Sequence, residues 1–210
     1  MDNQLIIFDF DGVLRDASWV HLCDAYKKII EAVGKDSSLF FTDVDSFRKW
    51  YNVDWHRNEE QIFGGTYVSN ALFNKMFHAN YDPNISLFPW VPDTLAYLSS
   101  AHKLAILSSS AKSSVEKELG ELSQAFSFIT GAEEVSKLKP DPEGVFLILK
   151  ETNTKPEGAI MIGDMNVDFM AGKNAGTKTG VVKWGLGDWE ELHALGADFL
   201  FENPEDLLKL

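Results

Sequence analysis

Apolar residues are arranged in two different ways along this chain. In segments 5–8, 103–107 and 159–162 they follow one another almost directly, and each run is followed within two residues by a polar side chain. Runs of this length are typical of strands buried on both faces of a parallel sheet. From 19 to 33 the apolar residues recur instead at helical spacing, and this pattern stops at Gly34, a residue common at helix C-termini. The chain therefore combines buried strands with amphipathic helices.

Beyond Phe88 the two patterns alternate. Further strands are predicted at 126–130, 179–183 and 198–201. Helices are predicted over 93–98, after Ser110, after a cap at Asn166, and at Asn203-Pro204. Repeated strand-then-helix units imply an α/β fold with a doubly wound parallel sheet.

One helix start in this half has a specific signature. Asp141-Pro142 combines a favourable N-cap residue with proline, which suits the first helical position. The spacing then predicts that Val145, Phe146 and Leu149 face the core.

The segment between Ser18 and Asn84 is different, because it has no convincing strand pattern. Helical spacing covers 44–50 and again about 67–77. We therefore expect a helical cap at 16–84, inserted into an α/β core formed by 1–15 and 85–210.

Composition and charge narrow the functional classes. The 210 residues include 45% hydrophobic ones and carry a formal net charge of −13. This charge argues against nucleic acid or an anionic membrane surface as a partner. Cys23 is the only cysteine, which excludes an intramolecular disulfide, and no apolar stretch has the length of a signal peptide or a membrane helix. We expect a soluble cytoplasmic protein, of an oligomeric state that the sequence does not indicate.

Polar side chains follow three of the predicted strands. Asp9 and Asp11 follow the first, Ser108 the second, and Asp164 the one at 159–162, while Lys139 lies in a loop before a helix. The carboxyl ends of parallel strands meet at one edge of a sheet, where ligands bind in this class of fold. Taken singly, each residue is also typical of a helix cap, a turn or a solvated surface. Their joint position is what favours a functional site.

These residues resemble the motifs of the haloacid dehalogenase-like hydrolases, especially their phosphoglycolate phosphatase-like branch. Four motifs occur in the family's order and cover roughly residues 4–15 and 88–207. They are Asp9-Phe10-Asp11-Gly12-Val13-Leu14, Ser108 after an apolar strand, Lys139-Pro140-Asp141-Pro142, and Gly163-Asp164-Met165-Asn166-Val167-Asp168. Any one of them alone would be a weak signal.

The resemblance implies a phosphatase that uses Mg²⁺ and acts on a small phosphorylated metabolite. Asp9 would attack phosphorus and become a phosphoaspartate, and Asp11 would act as general acid and then general base. The metal would be bound by Asp9, Asp164, the backbone carbonyl of Asp11, and Asp168 directly or through water.

The remaining roles concern the substrate. Gly12, Ser108, Ser109 and Lys139 would hold the phosphoryl group, with Lys139 as the fixed positive charge. Ser108 and Lys139 would also belong to the catalytic residues. In and beside the cap, Arg15, Arg48, His56 and Arg57 are candidates for reading the rest of the substrate. Tryptophans in this small helical unit are more often part of its core.

Other functions use similar residues. A phosphomutase would have the same four motifs and would keep the phosphoryl group. A dehalogenase would use the aspartate nucleophile but leave Asp11 and the metal acids without a role. A phosphoacceptor signalling module also combines acids, Ser or Thr, and Lys on a doubly wound sheet, although the helical insert and the Asp9–Asp11 pair argue against it.

Overall fold

The computed structural model describes residues 4–52, 55–64, 76 and 86–210. The chain divides into two compact units. One comprises residues 1–16 and 86–210, and the other residues 17–85.

The first unit is built on a six-stranded sheet in which every pairing is parallel. Its strands in chain order are β1 (Leu5–Phe8), β2 (Lys103–Leu107), β3 (Phe128–Thr130), β4 (Ala159–Gly163), β5 (Lys178–Val182) and β6 (Phe199–Phe201). Their spatial order is β3-β2-β1-β4-β5-β6, which places β1 at the centre. This arrangement confirms the predicted doubly wound α/β fold.

Helices pack on this sheet, and β1 contributes to two of the apolar clusters between them. The helices are α4 (Val91–Ser99), α5 (Lys112–Leu119), α6 (Glu143–Glu151), α7 (Asn166–Ala175) and α8 (Trp189–Ala194). Side chains alternate along β1, so that Ile6 and Phe8 belong to one buried cluster and Leu5 and Ile7 to the other. Burial on both sides explains why β1 contains only apolar residues.

The start of α6 differs from its prediction. The helix begins at Glu143 with Pro142 at the N-cap position, and the Asp141 carboxylate accepts the Glu143 N–H at 3.0 Å. The expectation that Phe146 faces the core was wrong, since this side chain is 49% exposed. Val145, Ile148 and Leu149 are buried, and they define an i, i+3, i+4 face from which the next residue, Phe146, is rotated away.

The start of α7 differs by one residue. Asn166 is its first helical residue, and Met165 occupies the N-cap position. The cap bond comes from Asp168, whose carboxylate accepts the Met165 N–H at 3.0 Å. Because the capping side chain comes from the first turn of the helix and not from the residue before it, the sequence made Asn166 look like the cap.

The second unit contains α1 (Trp19–Ala32), α2 (Val44–Trp50) and α3 (Trp55–Phe63) among its described residues. Phe47 is fully buried, and several aromatic rings surround it at centroid distances of 4.8 to 6.2 Å: Trp19, Tyr26, Phe41, Trp50 and Tyr51. These tryptophans therefore form part of an aromatic core.

Two features of this unit bear on the sequence predictions. Helix α3 was not predicted, because most of its residues are polar. The helix predicted at 67–77 lies outside the described residues except at Met76, which is helical. In the described parts of both units, no helix has the length and apolar character needed to cross a membrane.

Candidate active site

The carboxyl ends of β1, β2 and β4 lie side by side. Phe8 is paired with Ile106 on one side and with Ile162 on the other, so the three strands end at the same level. Asp9 continues β1, and its N–H donates to the Ile162 carbonyl at 2.8 Å. Ser108 and Asp164 directly follow β2 and β4. The strand register therefore brings these three residues to one edge of the sheet.

Lys139 links two of the acids at this edge. Its Nζ donates to Asp9 Oδ1 at 2.7 Å and to Asp168 Oδ1 at 2.6 Å, and all three side chains are almost fully buried. Burial disfavours the charged ammonium, but the two carboxylates outweigh burial and raise the pKa of Lys139. Lys139 is thus a fixed buried cation and not a solvated surface lysine.

Asp168 makes two bonds with different consequences. Its Oδ1 accepts from Lys139, while its Oδ2 accepts the Met165 N–H that begins α7. The helix cap fixes the side chain, and a Cβ on Gly163 would come within 2.1 Å of it. One rotamer of Asp168 therefore both caps α7 and binds Lys139.

Asp164 is enclosed by the loop at 185–187, in which no site residue was predicted. The Leu186 N–H donates to Asp164 Oδ2 at 2.7 Å. A Cβ on Gly185 would lie 2.2 Å from Asp164 Cβ, and one on Gly187 would lie 2.1 Å from the Asp164 carbonyl oxygen. Two glycines separated by one residue after β5 were the available signal, because they indicate a close backbone approach.

The acids at this edge form an incomplete set of ligands. One carboxylate oxygen each from Asp9, Asp164 and Asp168 lies within 4.8 Å of the others. Asp164 Oδ1 is buried and accepts no hydrogen bond from the described residues. Burying a carboxylate oxygen without a binding partner lowers the stability of the folded protein. Three carboxylates face the single ammonium of Lys139, so a divalent cation bound by oxygen ligands, such as Mg²⁺, fits this cluster in both charge and donor type.

The acid pKa values follow from the same geometry. Burial, reinforced by the nearby Asp168 charge, raises the pKa of Asp9 to about 7 against the opposing effect of Lys139. Burial and the charges of Asp9 and Asp168 also raise the pKa of Asp164 well above its ordinary range. Without a cation, the folded protein therefore holds acids that resist ionisation.

The side chain of Asp11 lies apart from this acid cluster and has its own partners. Its Oδ2 accepts the Ser110 hydroxyl at 2.8 Å, and its Oδ1 accepts the guanidinium of Arg15. Ser110, the third serine after β2, was not predicted as a site residue. The sequence feature that could have identified Ser110 is its position two residues after Ser108. A serine at such a position is also commonly a helix cap, so the feature is not specific.

Ser108 and Ser109 lie at the predicted position, at the end of β2. The Ser108 side chain is buried, and its hydroxyl accepts the Ser110 N–H at 2.9 Å, whereas Ser109 is half-buried. The first N–H of α5, that of Lys112, donates to the Glu133 carboxylate. This N–H is therefore already bonded to a protein anion.

The predicted specificity residues are found in different settings. Arg15 is buried, whereas Arg48 is exposed and lies over the Trp19 ring at 5.3 Å. Arg57 is exposed, and the side chain of His56 lies outside the described residues. Their role in reading substrate stays a prediction.

Gly12 allows a direct test of how tightly this edge is packed. It has φ of +83°, and a Cβ there would lie 2.1 Å from Asp164 Oδ2. Gly12→Ala should therefore combine backbone strain with displacement of Asp164, lower the stability by more than about 2 kcal/mol, and weaken any metal-dependent rise in melting temperature. Thermal unfolding with and without Mg²⁺ measures both effects.

Gly34 provides the matched control. Its φ is +78°, yet in the described part of the chain no atom beyond its two chain neighbours lies within 4 Å of an added Cβ. Gly34→Ala should therefore cost only the backbone strain of about 1–2 kcal/mol and leave the metal response unchanged. Equal losses in the two variants would mean that Asp164 is not constrained by Gly12.

This chain is similar to known proteins over most of its length. The family model described as haloacid dehalogenase-like hydrolase matches residues 6–182. Pyrophosphatase PpaX of Bacillus cereus is 28% identical over 219 residues, which cover 100% of this chain and 97% of that protein. Pyrophosphatase PpaX of Bacillus velezensis is 29% identical over 214 residues, which cover 98% and 94%.

Solved structures agree with this match. A Bacteroides fragilis protein provisionally titled a haloacid dehalogenase-like hydrolase has a TM-score of 0.80 at 23% identity, covering 98% of this chain and 100% of its own. A Thermotoga maritima protein provisionally titled a beta-phosphoglucomutase has a TM-score of 0.72 at 26% identity, covering 98% and 97%. At 23% identity, the similarity to the Bacteroides fragilis protein shows a shared fold alone.

Proposed function

The chain belongs to the haloacid dehalogenase-like hydrolases, and we propose that it is a Mg²⁺-dependent phosphatase that hydrolyses a small phosphomonoester through a covalent intermediate on Asp9. The observation that carries this proposal is the buried cluster of Asp9, Asp164, Asp168 and Lys139, with its unpartnered Asp164 oxygen.

The two oxygens of Asp9 are not equivalent. Lys139 binds Oδ1, and no hydrogen bond from the described residues reaches Oδ2. Oδ2 is therefore the oxygen available to attack phosphorus, while Lys139 holds the carboxylate in a fixed orientation. Orienting a nucleophile in this way supplies part of the rate enhancement of an enzyme.

The reaction then has two steps, formation and hydrolysis of the covalent intermediate. In the first, Asp9 Oδ2 forms a bond to phosphorus as the bond to the leaving oxygen breaks, and Asp11 gives that oxygen a proton. In the second, Asp11 removes a proton from water, the water oxygen bonds to phosphorus, and the Asp9 carboxylate is released. The position of Asp11, outside the acid cluster and 26% exposed, leaves it accessible to a leaving group and to water.

The cation would be held by Asp9, Asp164 and Asp168. When bound, Mg²⁺ would neutralise charge on the phosphoryl group and so permit a carboxylate to approach it. Lys139, Ser108 and Ser109 would contribute the remaining contacts to the phosphoryl oxygens, as the sequence motifs predict.

The similarities to known proteins favour two alternative activities. The relatives named pyrophosphatase match nearly the whole chain, so inorganic pyrophosphate belongs in the substrate panel. The Thermotoga structure makes a phosphosugar mutase the second candidate. A panel of alkyl phosphates, phosphosugars and pyrophosphate separates these activities, because a mutase yields an isomer and no net inorganic phosphate.

Metal dependence is the first test. EDTA should abolish phosphate release, and Mg²⁺ should restore it. Ca²⁺ should be a poor substitute, because its larger and looser coordination shell misplaces the reacting groups. Mg²⁺ should also raise the melting temperature, since a ligand that binds only the folded state stabilises it.

Asp164→Asn links the metal to this cluster, because it removes a charged ligand and keeps the shape of the side chain. It should lose both the activity and the Mg²⁺-dependent rise in melting temperature. Full activity of the wild type in metal-free buffer would contradict the proposed mechanism.

A further inference from the structure

Arg15 occupies an unusual position between two carboxylates. It is 6% exposed, and its guanidinium binds Asp11 Oδ1 and, at 2.8 Å, Glu118 Oε2 on α5. In the sequence it looked like a candidate for reading substrate. Because two carboxylates neutralise this guanidinium, it attracts an anionic substrate group only weakly.

The backbone around Arg15 is as constrained as its side chain. Its N–H donates to the Phe10 carbonyl at 2.9 Å, and its own carbonyl accepts the Gly12 N–H at 2.9 Å. An isolated antiparallel bridge also pairs it with Leu87. The guanidinium also lies over the Phe10 ring at 5.3 Å. Arg15 and Asp11 are therefore held in one short turn with a fixed separation.

Glu118 fastens the other end of the guanidinium. Its Oε2 accepts from Arg15, while its Oε1 is buried without a hydrogen-bond partner among the described residues. Burial raises the pKa of Glu118, and the Arg15 charge opposes this shift. The described contacts thus make Arg15 the main partner of Glu118, and the pair connects Asp11 to α5.

The hydrogen-bonding capacities of these groups distinguish the two oxygens of Asp11. A guanidinium has only donors, so Asp11 Oδ1 must accept whether or not the carboxyl is protonated. The Ser110 hydroxyl on Oδ2 can donate or accept, so a proton can reside on that oxygen. The leaving oxygen of a substrate can replace this hydroxyl without breaking the Arg15 contact.

We propose that Arg15, anchored by Glu118, is a positioning residue that fixes Asp11 through Oδ1 and reserves Oδ2 for proton transfer to the leaving oxygen. This inference rests on the proposed function. The proton moves from Asp11 Oδ2 to the leaving oxygen in the first step, and water returns a proton to Oδ2 in the second.

A double-mutant cycle tests the proposal. With an alkyl phosphate as substrate, Arg15→Met should lower kcat about 10–100-fold with little change in KM, since misplacing a catalytic group by about 1 Å can cost 10²-fold. With p-nitrophenyl phosphate, whose leaving group needs little protonation, the loss in kcat/KM, which reports the first step, should be several-fold smaller. In the Asp11→Asn background, where no proton can be transferred, Arg15→Met should change kcat less than about 2-fold.

Two further variants keep the test valid if Arg15→Met does not fold. Arg15→Lys keeps the charge but loses the planar fork, and Glu118→Gln keeps the shape but loses the anchoring charge. Both should show a smaller loss with the same dependence on the leaving group. Lys209→Met, which removes an exposed surface ion pair with Asp206, should leave kcat unchanged.

The outcomes separate the two proposals. If the wild type hydrolyses none of the phosphate substrates, the proposed function is wrong and this inference is wrong with it. If the wild type is active but the Arg15 variants lose kcat/KM equally with both leaving groups and in both backgrounds, the phosphatase stands and Arg15 has only a structural role.

Discussion

Asp9→Asn is expected to abolish turnover, by about 10⁴-fold or more, because removing a nucleophile costs an enzyme nearly all of its covalent catalysis. Asparagine keeps the shape of aspartate, and its carbonyl oxygen can still accept the Lys139 hydrogen bond that Asp9 Oδ1 accepts at 2.7 Å. The variant should therefore fold normally. Phosphate release from an alkyl phosphate, at saturating substrate and Mg²⁺, measures the loss.

The same variant should be at least as stable as the wild type in metal-free buffer. The pKa of Asp9 is 3.8 in the unfolded chain and is raised to about 7 in the folded protein. Between these values the folded state binds a proton that the unfolded state has released. Stability contributed by Asp9 is therefore lost as the pH rises from about 4 to above 7. Asp9→Asn removes this loss, so its melting temperature at pH 8 should equal or exceed that of the metal-free wild type.

Asp93→Asn is the matched control, because this exposed acid lies in the first turn of α4 and belongs to the same unit. It should leave turnover unchanged. Hydrolysis by Asp9→Asn at the wild-type rate would rule out the nucleophile. A large fall in its melting temperature would mean that activity was lost through misfolding.

The sheet and its acidic edge could be predicted because their signals are local. Each strand is a short apolar run, and Asp9, Ser108 and Asp164 immediately follow such runs. In a parallel sheet the position after a strand determines the position in space, so no long-range information was needed to bring these residues together. Lys139 required more, because its loop lies 130 positions from Asp9 and only the family motif linked them.

The contacts around Asp11 could not be predicted in this way. The whole segment from α1 to β2 separates Arg15 from Ser110 in sequence. Neither residue has a pattern that distinguishes it from a surface arginine or a capping serine. Their roles depend on rotamers and on the fixed turn at residues 10–15, which only the structure supplies. The same holds for the Leu186 N–H, since a backbone donor leaves no signature in the sequence.

Errors at helix starts have a related cause. At α6 and α7 several residues could cap the helix, and the choice depends on which side chain reaches back to the backbone. Asp168 is the informative case: it caps α7 through one oxygen and binds Lys139 through the other. The family motif predicted a site role for Asp168, whereas its cap role was missed because Asn166 was the more obvious cap in the sequence.

Asp11→Asn is expected to lower turnover of an alkyl phosphate by about 10²–10⁴-fold or more, the usual contribution of general acid–base catalysis. Asparagine can still accept from Arg15 through Oδ1, so the turn and Asp9 should stay in place. With p-nitrophenyl phosphate the first step should suffer less, because p-nitrophenolate departs with little protonation. Rapid mixing should then show a burst of p-nitrophenol, since the second step still needs a base to activate water and phosphoenzyme accumulates.

Ser110→Ala is the matched control for this prediction, because it removes the hydroxyl on Asp11 Oδ2 and leaves the carboxylate itself. Since the leaving oxygen replaces this hydroxyl during the reaction, its loss should cost far less than the loss of Asp11 and should give no burst. A burst in Asp11→Asn, absent from Ser110→Ala and from the wild type, would locate the base of the second step at Asp11. Small and equal losses on both substrates in Asp11→Asn, without a burst, would exclude Asp11 from proton transfer and leave Asp9 as the only residue with a chemical role.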